Sequence, residues 1–135
     1  MIEFSYTILY VKDVAQSAAF YEKAFGLKQR FIHESGQYAE METGGTSLAF
    51  SSNELAKSNL PQGFQENSRS NLPAGIEVGF VTNDVVAAFE RAVEAGAVPV
   101  VDPKVKPWGQ TVAYVRDLDG ILIELVDFSG NRATI

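Results

Sequence analysis

The chain says the same thing twice. An alternating apolar run, an acidic residue, an amphipathic helical pattern and a closing glycine occur first as YTILYVKD with VAQSAAFYEKAFG. They recur as EVGFVTND with VVAAFERAVEAG. In the first helical stretch Val14, Ala18, Tyr21 and Phe25 fall on one face, and in the second Val85, Phe89, Ala92 and Ala95 do the same. Each stretch is therefore expected to be a surface helix that buries one stripe. Asp13 with Gln16 suggests a capping box, Asn83 or Asp84 can cap the second helix, and Gly26 and Gly96 suit left-handed C-terminal caps.

Three strand-like runs follow each helix: Lys28–His33, Tyr38–Glu42 and Thr46–Ser51, then Val98–Val101, Thr111–Val115 and Ile121–Val126. Gly44-Gly45 and Asp117-Leu118-Asp119-Gly120 mark the turns before the last strand of each half. The halves align at an offset of 71 from Tyr6 to Glu77 and from Asp13 to Asp84. The offset is 75 from Gly45 to Gly120 and from Ala49 to Glu124, so an insertion falls in the middle hairpin of the second half. The expected organisation is a first βαβββ module over 1–52, a connector or lid over 53–73, a second module over 74–128 and a tail over 129–135. At 135 residues and 46% apolar composition these form one α+β domain with a sizeable core. The connector is rich in Asn, Ser, Gln and Pro, and Phe64 stands alone in it as a candidate lid contact.

Composition narrows the partners. A formal net charge of −6 disfavours nucleic acid and anionic membranes and mildly favours a cationic or neutral ligand. No apolar run approaches the roughly 20 residues needed to cross a bilayer. MIEFSYTILYVKD lacks a basic start and a small-residue cleavage site. With no cysteine there is neither a disulfide nor a thiolate site, and the expected location is cytoplasmic.

Alternation within the strands nominates the chemistry. Thr7, Leu9 and Val11 share one face of the first strand, and Tyr6, Ile8 and Tyr10 share the other. In the second copy Val78 and Phe80 face the helix, which turns Glu77, Gly79 and Val81 away from it. Glu124 is the only charge between Ile121 and Val126, and an ionised carboxylate there costs several kcal/mol unless it is paired, hydrogen-bonded, metal-bound or simply wet on an open face. Glu77 and Glu124 together suit a divalent cation, a cationic ligand group or acid/base work. Trp108, in KVKPWGQ, either lines a pocket mouth or packs on its own edge, and His33, in FIHESG, is expected to be an exposed turn residue. Phosphate loops and nucleophile elbows are absent.

These segments, YVKDVAQSAAFYEKAFGL, YAEMETGGTSLAF, GFVTNDVVAAFERAVEAGA and PWGQTVAYVRDLDGILIELVD, resemble the glyoxalase/bleomycin-resistance/extradiol-dioxygenase superfamily, the vicinal oxygen chelate proteins, from Ile2 to Asp127. The resemblance implies two tandem βαβββ modules forming a curved mixed sheet around a pocket, and commonly a homodimer. In metal-dependent members the ligands come from the first and last strand of each half. The matching positions here are Tyr6, Ala49, Glu77 and Glu124. Alanine coordinates nothing and two carboxylates with a phenol hold a metal weakly, so the expectation is a pocket without a cofactor, with Glu77 and Glu124 as the ligands if a divalent metal is bound. The leading expectation is a small-molecule binder that sequesters a drug or a cationic or aromatic metabolite with Tyr6, Tyr10, Glu77, Trp108 and Glu124. The alternatives are a metal-dependent lyase, isomerase or dioxygenase using Glu124 as ligand or base, and an interaction module without a ligand.

Overall fold

The repeat is realised as two units with one topology. The computed structural model describes residues 1–130, so the expected tail lies largely outside the described residues. The chain divides between Asn67 and Ser68. The first unit contains β1 (Tyr6–Val11), α1 (Val14–Phe25), β2 (Lys28–Ile32), β3 (Tyr38–Glu42), β4 (Ser47–Ser52) and α2 (Asn53–Asn59). The second contains β5 (Glu77–Val81), α3 (Val85–Glu94), β6 (Val98–Val105), β7 (Thr111–Arg116) and β8 (Leu122–Val126). The sheet orders are β1-β4-β3-β2 and β5-β8-β7-β6, the same path walked twice. In each, the first and last strands run parallel and the remaining pairs antiparallel, which makes both sheets mixed. The protein is thus α+β, with two tandem βαβββ modules. No helix among the described residues is long and apolar enough to cross a membrane.

Helix ends form where the side chains dictate. The Asp13 carboxylate accepts from Gln16 N and the Asp84 carboxylate from Ala87 N, each satisfying an orphan amide of the first turn. Gly26, left-handed at φ 73°, donates its N–H to the Glu22 carbonyl and stops α1. At the end of α3, Ala97 N bonds the Ala92 carbonyl and Gly96 N the Val93 carbonyl, the paired bonds of a Schellman cap.

Each of the two long helices covers one face of its own sheet. In the first unit Val14, Ala18 and Tyr21 pack with Leu9, Val11, Ala39, Met41, Leu48 and Phe50, all buried, and the Tyr21 and Phe50 rings lie 4.9 Å apart. In the second unit α3 packs on β6, β7 and β8, where Val85 and Ala92 join buried Ala113, Val115, Ile123 and Leu125. This burial is the main source of stability in each unit, at roughly 1.5–3 kcal/mol for each large apolar side chain fully removed from water.

Two departures from expectation have local causes. β6 runs on to Val105 through Pro103, because its register with β7 shifts twice and a bulged edge strand tolerates a residue without an N–H. The polar connector begins with α2, which patterning missed because seven residues carry little periodicity. Ser52 caps α2 by accepting from Leu55 N, and Ala56 is its buried apolar residue. The connector's later part is tethered within the second unit. Arg69 donates to the carbonyls of Asp117 and Gly96, and Arg116 to those of Gly120, Ser68 and Asn71.

The β7–β8 turn concentrates these tethers. Asp117, almost wholly buried, accepts from the amides of Asp119 and Ile121, and Gly120 closes the turn at φ 81°. A Cβ on Gly120 would meet Arg116 Nη2 at 2.6 Å, Ser68 O at 2.8 Å and Arg69 N at 2.9 Å, whereas one on Gly44, at φ 91°, would meet nothing within 4 Å. Gly44→Ala is therefore expected to cost only the backbone penalty, about 1–2 kcal/mol, and Gly120→Ala at least about 2 kcal/mol more. Urea unfolding of the two variants checks this; equal midpoints would contradict it.

Candidate functional site

With α3 on one side of the second sheet, alternation sends the other set of side chains to the opposite face. Strand register places Gly79 beside Glu124 on β8 and Tyr114 across from it on β7. The same face carries Glu77 and Val81 of β5, Leu122 and Val126 of β8, and Val112 and Arg116 of β7, the Arg116 guanidinium donating to the carbonyls of Gly120, Ser68 and Asn71. Glu124 is 8% exposed, and Tyr114 donates its hydroxyl to Glu124 Oε2 at 3.2 Å. A Cβ at Gly79 would stand 3.3 Å from Glu124 Oε1, so that the carboxylate would have to give by a few tenths of an ångström. An interior glycine weakens a strand, and here it leaves room for the carboxylate. Glu77 is exposed, opposite Leu122 and two residues along β5 from Gly79, about 7 Å in strand rise. The structure thus sets both predicted glutamates on one face, with Glu124 buried and Glu77 at the wetter end.

Tyr6 and Tyr10 share the open face of β1 in the first unit. Tyr6 is 55% exposed, while Tyr10 is half-buried with its ring 4.8 Å from Phe64, edge to face. Trp108 lies in the β6–β7 hairpin. Its indole N–H goes to Gln110 Oε1 at 3.0 Å, and Gln110 in turn donates to the Asp127 carbonyl. This places Trp108 in the hairpin just before the start of β7 at Thr111. His33 is exposed as expected, its Nδ1 2.8 Å from Ser35 Oγ.

Sequence reasoning missed a polar cluster on the first sheet's open face. Arg30 donates to both oxygens of Glu42, at 3.0 and 3.3 Å, to Glu40 Oε1 at 3.2 Å and to Ser47 Oγ at 2.8 Å. Tyr38 donates its hydroxyl to Glu40 Oε2 at 2.8 Å. Glu40 stands opposite Ala49, as Tyr114 stands opposite Glu124, so the first module carries its acid one strand over. The only available signal was the alternation of YAEME, which a merely wet face would share. Arg30 joins because the β2–β3 register shifts between Gln29 and Phe31, and no residue type announces that bulge.

Electrostatics follow these contacts. The Arg30 hydrogen bond holds the exposed Glu42 carboxyl below its ordinary range, and the same pairing raises the Arg30 guanidinium. Burial pushes the Tyr38 hydroxyl up to about 12, helped by its bond to Glu40. A tyrosine raised in the folded state keeps its proton after the unfolded chain has lost it, so its contribution to stability declines as pH rises from about 10 to about 12. Carbon-13 NMR of the tyrosine rings at pH 11 is expected to show Tyr38, identified by loss of its signal in Tyr38→Phe, still largely phenolic. A largely ionised Tyr38 at that pH would contradict the contact.

The donor set does not fit the metal that the resemblance implies. Among the described residues no group of three His, Cys, Asp or Glu side chains could hold a metal ion. Ala49 has no donor atom.

The model of the Glyoxalase/Bleomycin resistance protein/Dioxygenase superfamily matches residues 3–125. A glyoxalase/bleomycin resistance protein/dioxygenase family enzyme from Burkholderia phytofirmans PsJN shares 20% identity with a TM-score of 0.82, over 95% of this chain and 100% of that one. A glyoxalase-related enzyme from Fulvimarina pelagi shares 21% with a TM-score of 0.80, over 94% and 88%. A protein of unknown function from Agrobacterium tumefaciens str. C58 shares 26% with a TM-score of 0.77, over 96% of each chain. No curated protein matches the chain. With two βαβββ modules in tandem and a family model spanning nearly the whole sequence, the chain belongs to the glyoxalase/bleomycin resistance protein/dioxygenase superfamily.

Proposed function

We propose that the protein is a metal-independent binder of small organic molecules, and that it holds a cationic, aromatic ligand on the open face of the second sheet. One observation carries this reading: Glu124 is a buried carboxylate on the sheet face that α3 does not cover, 8% exposed and hydrogen-bonded by Tyr114. A carboxylate so placed interacts more strongly with an organic cation than a surface glutamate does, because less water screens the pair. The apolar neighbours Val81 and Leu122 offer contact to a ring, and Gly79 leaves the backbone beside Glu124 bare for close approach. Glu77, exposed on the same face, adds to the negative potential that draws a cation in. The net charge of −6 acts in the same direction at longer range.

The test is calorimetric titration of the full chain with a panel of planar aromatic amines and amidines. At least one is expected to bind one-to-one without being consumed. Glu124→Gln should weaken it tenfold or more, about 1.4 kcal/mol, and Tyr114→Phe by a smaller factor. Binding that ignores both substitutions, or turnover of the compound, would overturn the proposal; turnover lost in Glu124→Gln would instead support acid/base chemistry at this glutamate.

A further inference from the structure

Asn53 Oδ1 is a polar atom that the fold leaves unanswered. Asn53 is the first residue of α2 and is 3% exposed. Its Nδ2 donates to Glu66 Oε1 at 3.1 Å, but no donor reaches its Oδ1, the one buried side-chain polar atom so placed among the described residues. Turning the amide over would set its oxygen against the Glu66 carboxylate, so the orientation is fixed by Glu66. A buried acceptor without a donor is costly, and such an atom calls for an explanation.

Its surroundings supply one. Asn53 lies two residues past Ser51, which is buried in the row Tyr10–Ser51–Tyr38 on the first sheet's open face. The strap from Leu60 to Asn67 lies against the same end of that face. Phe64 meets the Tyr10 ring, Asn67 Nδ2 donates to the Tyr10 carbonyl at 3.1 Å, and Lys57 pairs with Glu66 at 2.6 Å. These fastenings all use side chains, so the strap can shift without breaking a backbone ladder. Its aromatic contribution is the ring of Phe64, and the charge of Glu66 is balanced by Lys57.

We propose that this end of the first sheet binds a neutral, planar aromatic molecule carrying a ring N–H or O–H. The donor goes to Asn53 Oδ1, and the ring is held by Tyr10 and Phe64 as the strap shifts to admit it. The site lies wholly within the first unit and goes beyond the binding assigned to Glu124.

The full chain, labelled with nitrogen-15, is titrated with indole and separately with 1-methylindole, which lacks the donor. Indole is expected to shift the Asn53 side-chain amide and the backbone amides of Phe64 to Asn67, and to bind at least tenfold more tightly than 1-methylindole. Phe64→Ala should weaken indole at least fivefold. If that variant unfolds, the probe pair on the unaltered chain still decides. Equal affinity for the two probes, shifts confined to other regions, or an Asn53 amide that contacts only a long-lived water and ignores indole would each overturn the proposal. Glu124→Gln is expected to leave the indole titration unchanged, so failure here is separable from failure of the cation site.

Discussion

One helix can cover only one face of a four-stranded sheet, and most of this molecule's organisation follows from that. In each unit the side chains of alternate strand positions go to α1 or α3 and form the core, from Leu9 and Val11 to Ile123 and Leu125. The remaining positions fall on a face that the unit's own long helix does not serve. Polar chemistry can be placed there without breaking the core, because strand alternation keeps the two sets apart. Both units use this freedom, setting a glutamate and a tyrosine within hydrogen-bonding distance on the uncovered side.

The two units use it differently. In the second, Glu124 is buried, Tyr114 donates to it, and Gly79 beside it carries no side chain. In the first, Glu40 is met by Arg30 as well as Tyr38, and the guanidinium is shared with Glu42 and Ser47. The salt bridge from Arg30 cancels part of the field that Glu40 could offer a cation. That asymmetry, together with Ala49 at the position equivalent to Glu124, is why the proposed cation site sits in the second module.

The duplication was legible because it is written in the long-range pattern of apolar residues and in caps. Asp13, Asp84 and Gly26 do what their chemistry dictates, and β3 begins and ends where alternation places it. Glu124 was legible as a charge in an apolar strand. The Arg30 cluster was not, because it depends on a bulge that re-aims one side chain, and bulges leave no residue-type signature in KQRFI. α2 escaped for a related reason: its stability comes from a serine cap and Ala56 against the sheet rather than from any extended periodicity. Trp108 was legible as a loop tryptophan, but its pairing with Gln110 was not, because that contact depends on the hairpin's local geometry.

The role proposed for Glu124 is to serve an organic ligand and not a metal centre. The most direct measurement is elemental analysis of the full chain after equilibration with Ni, Zn, Mn and Fe(II) and removal of unbound ions, alongside Glu124→Gln. Well under one metal ion per chain is expected in both proteins. Stoichiometric metal in the unaltered chain, lost in Glu124→Gln, would contradict it.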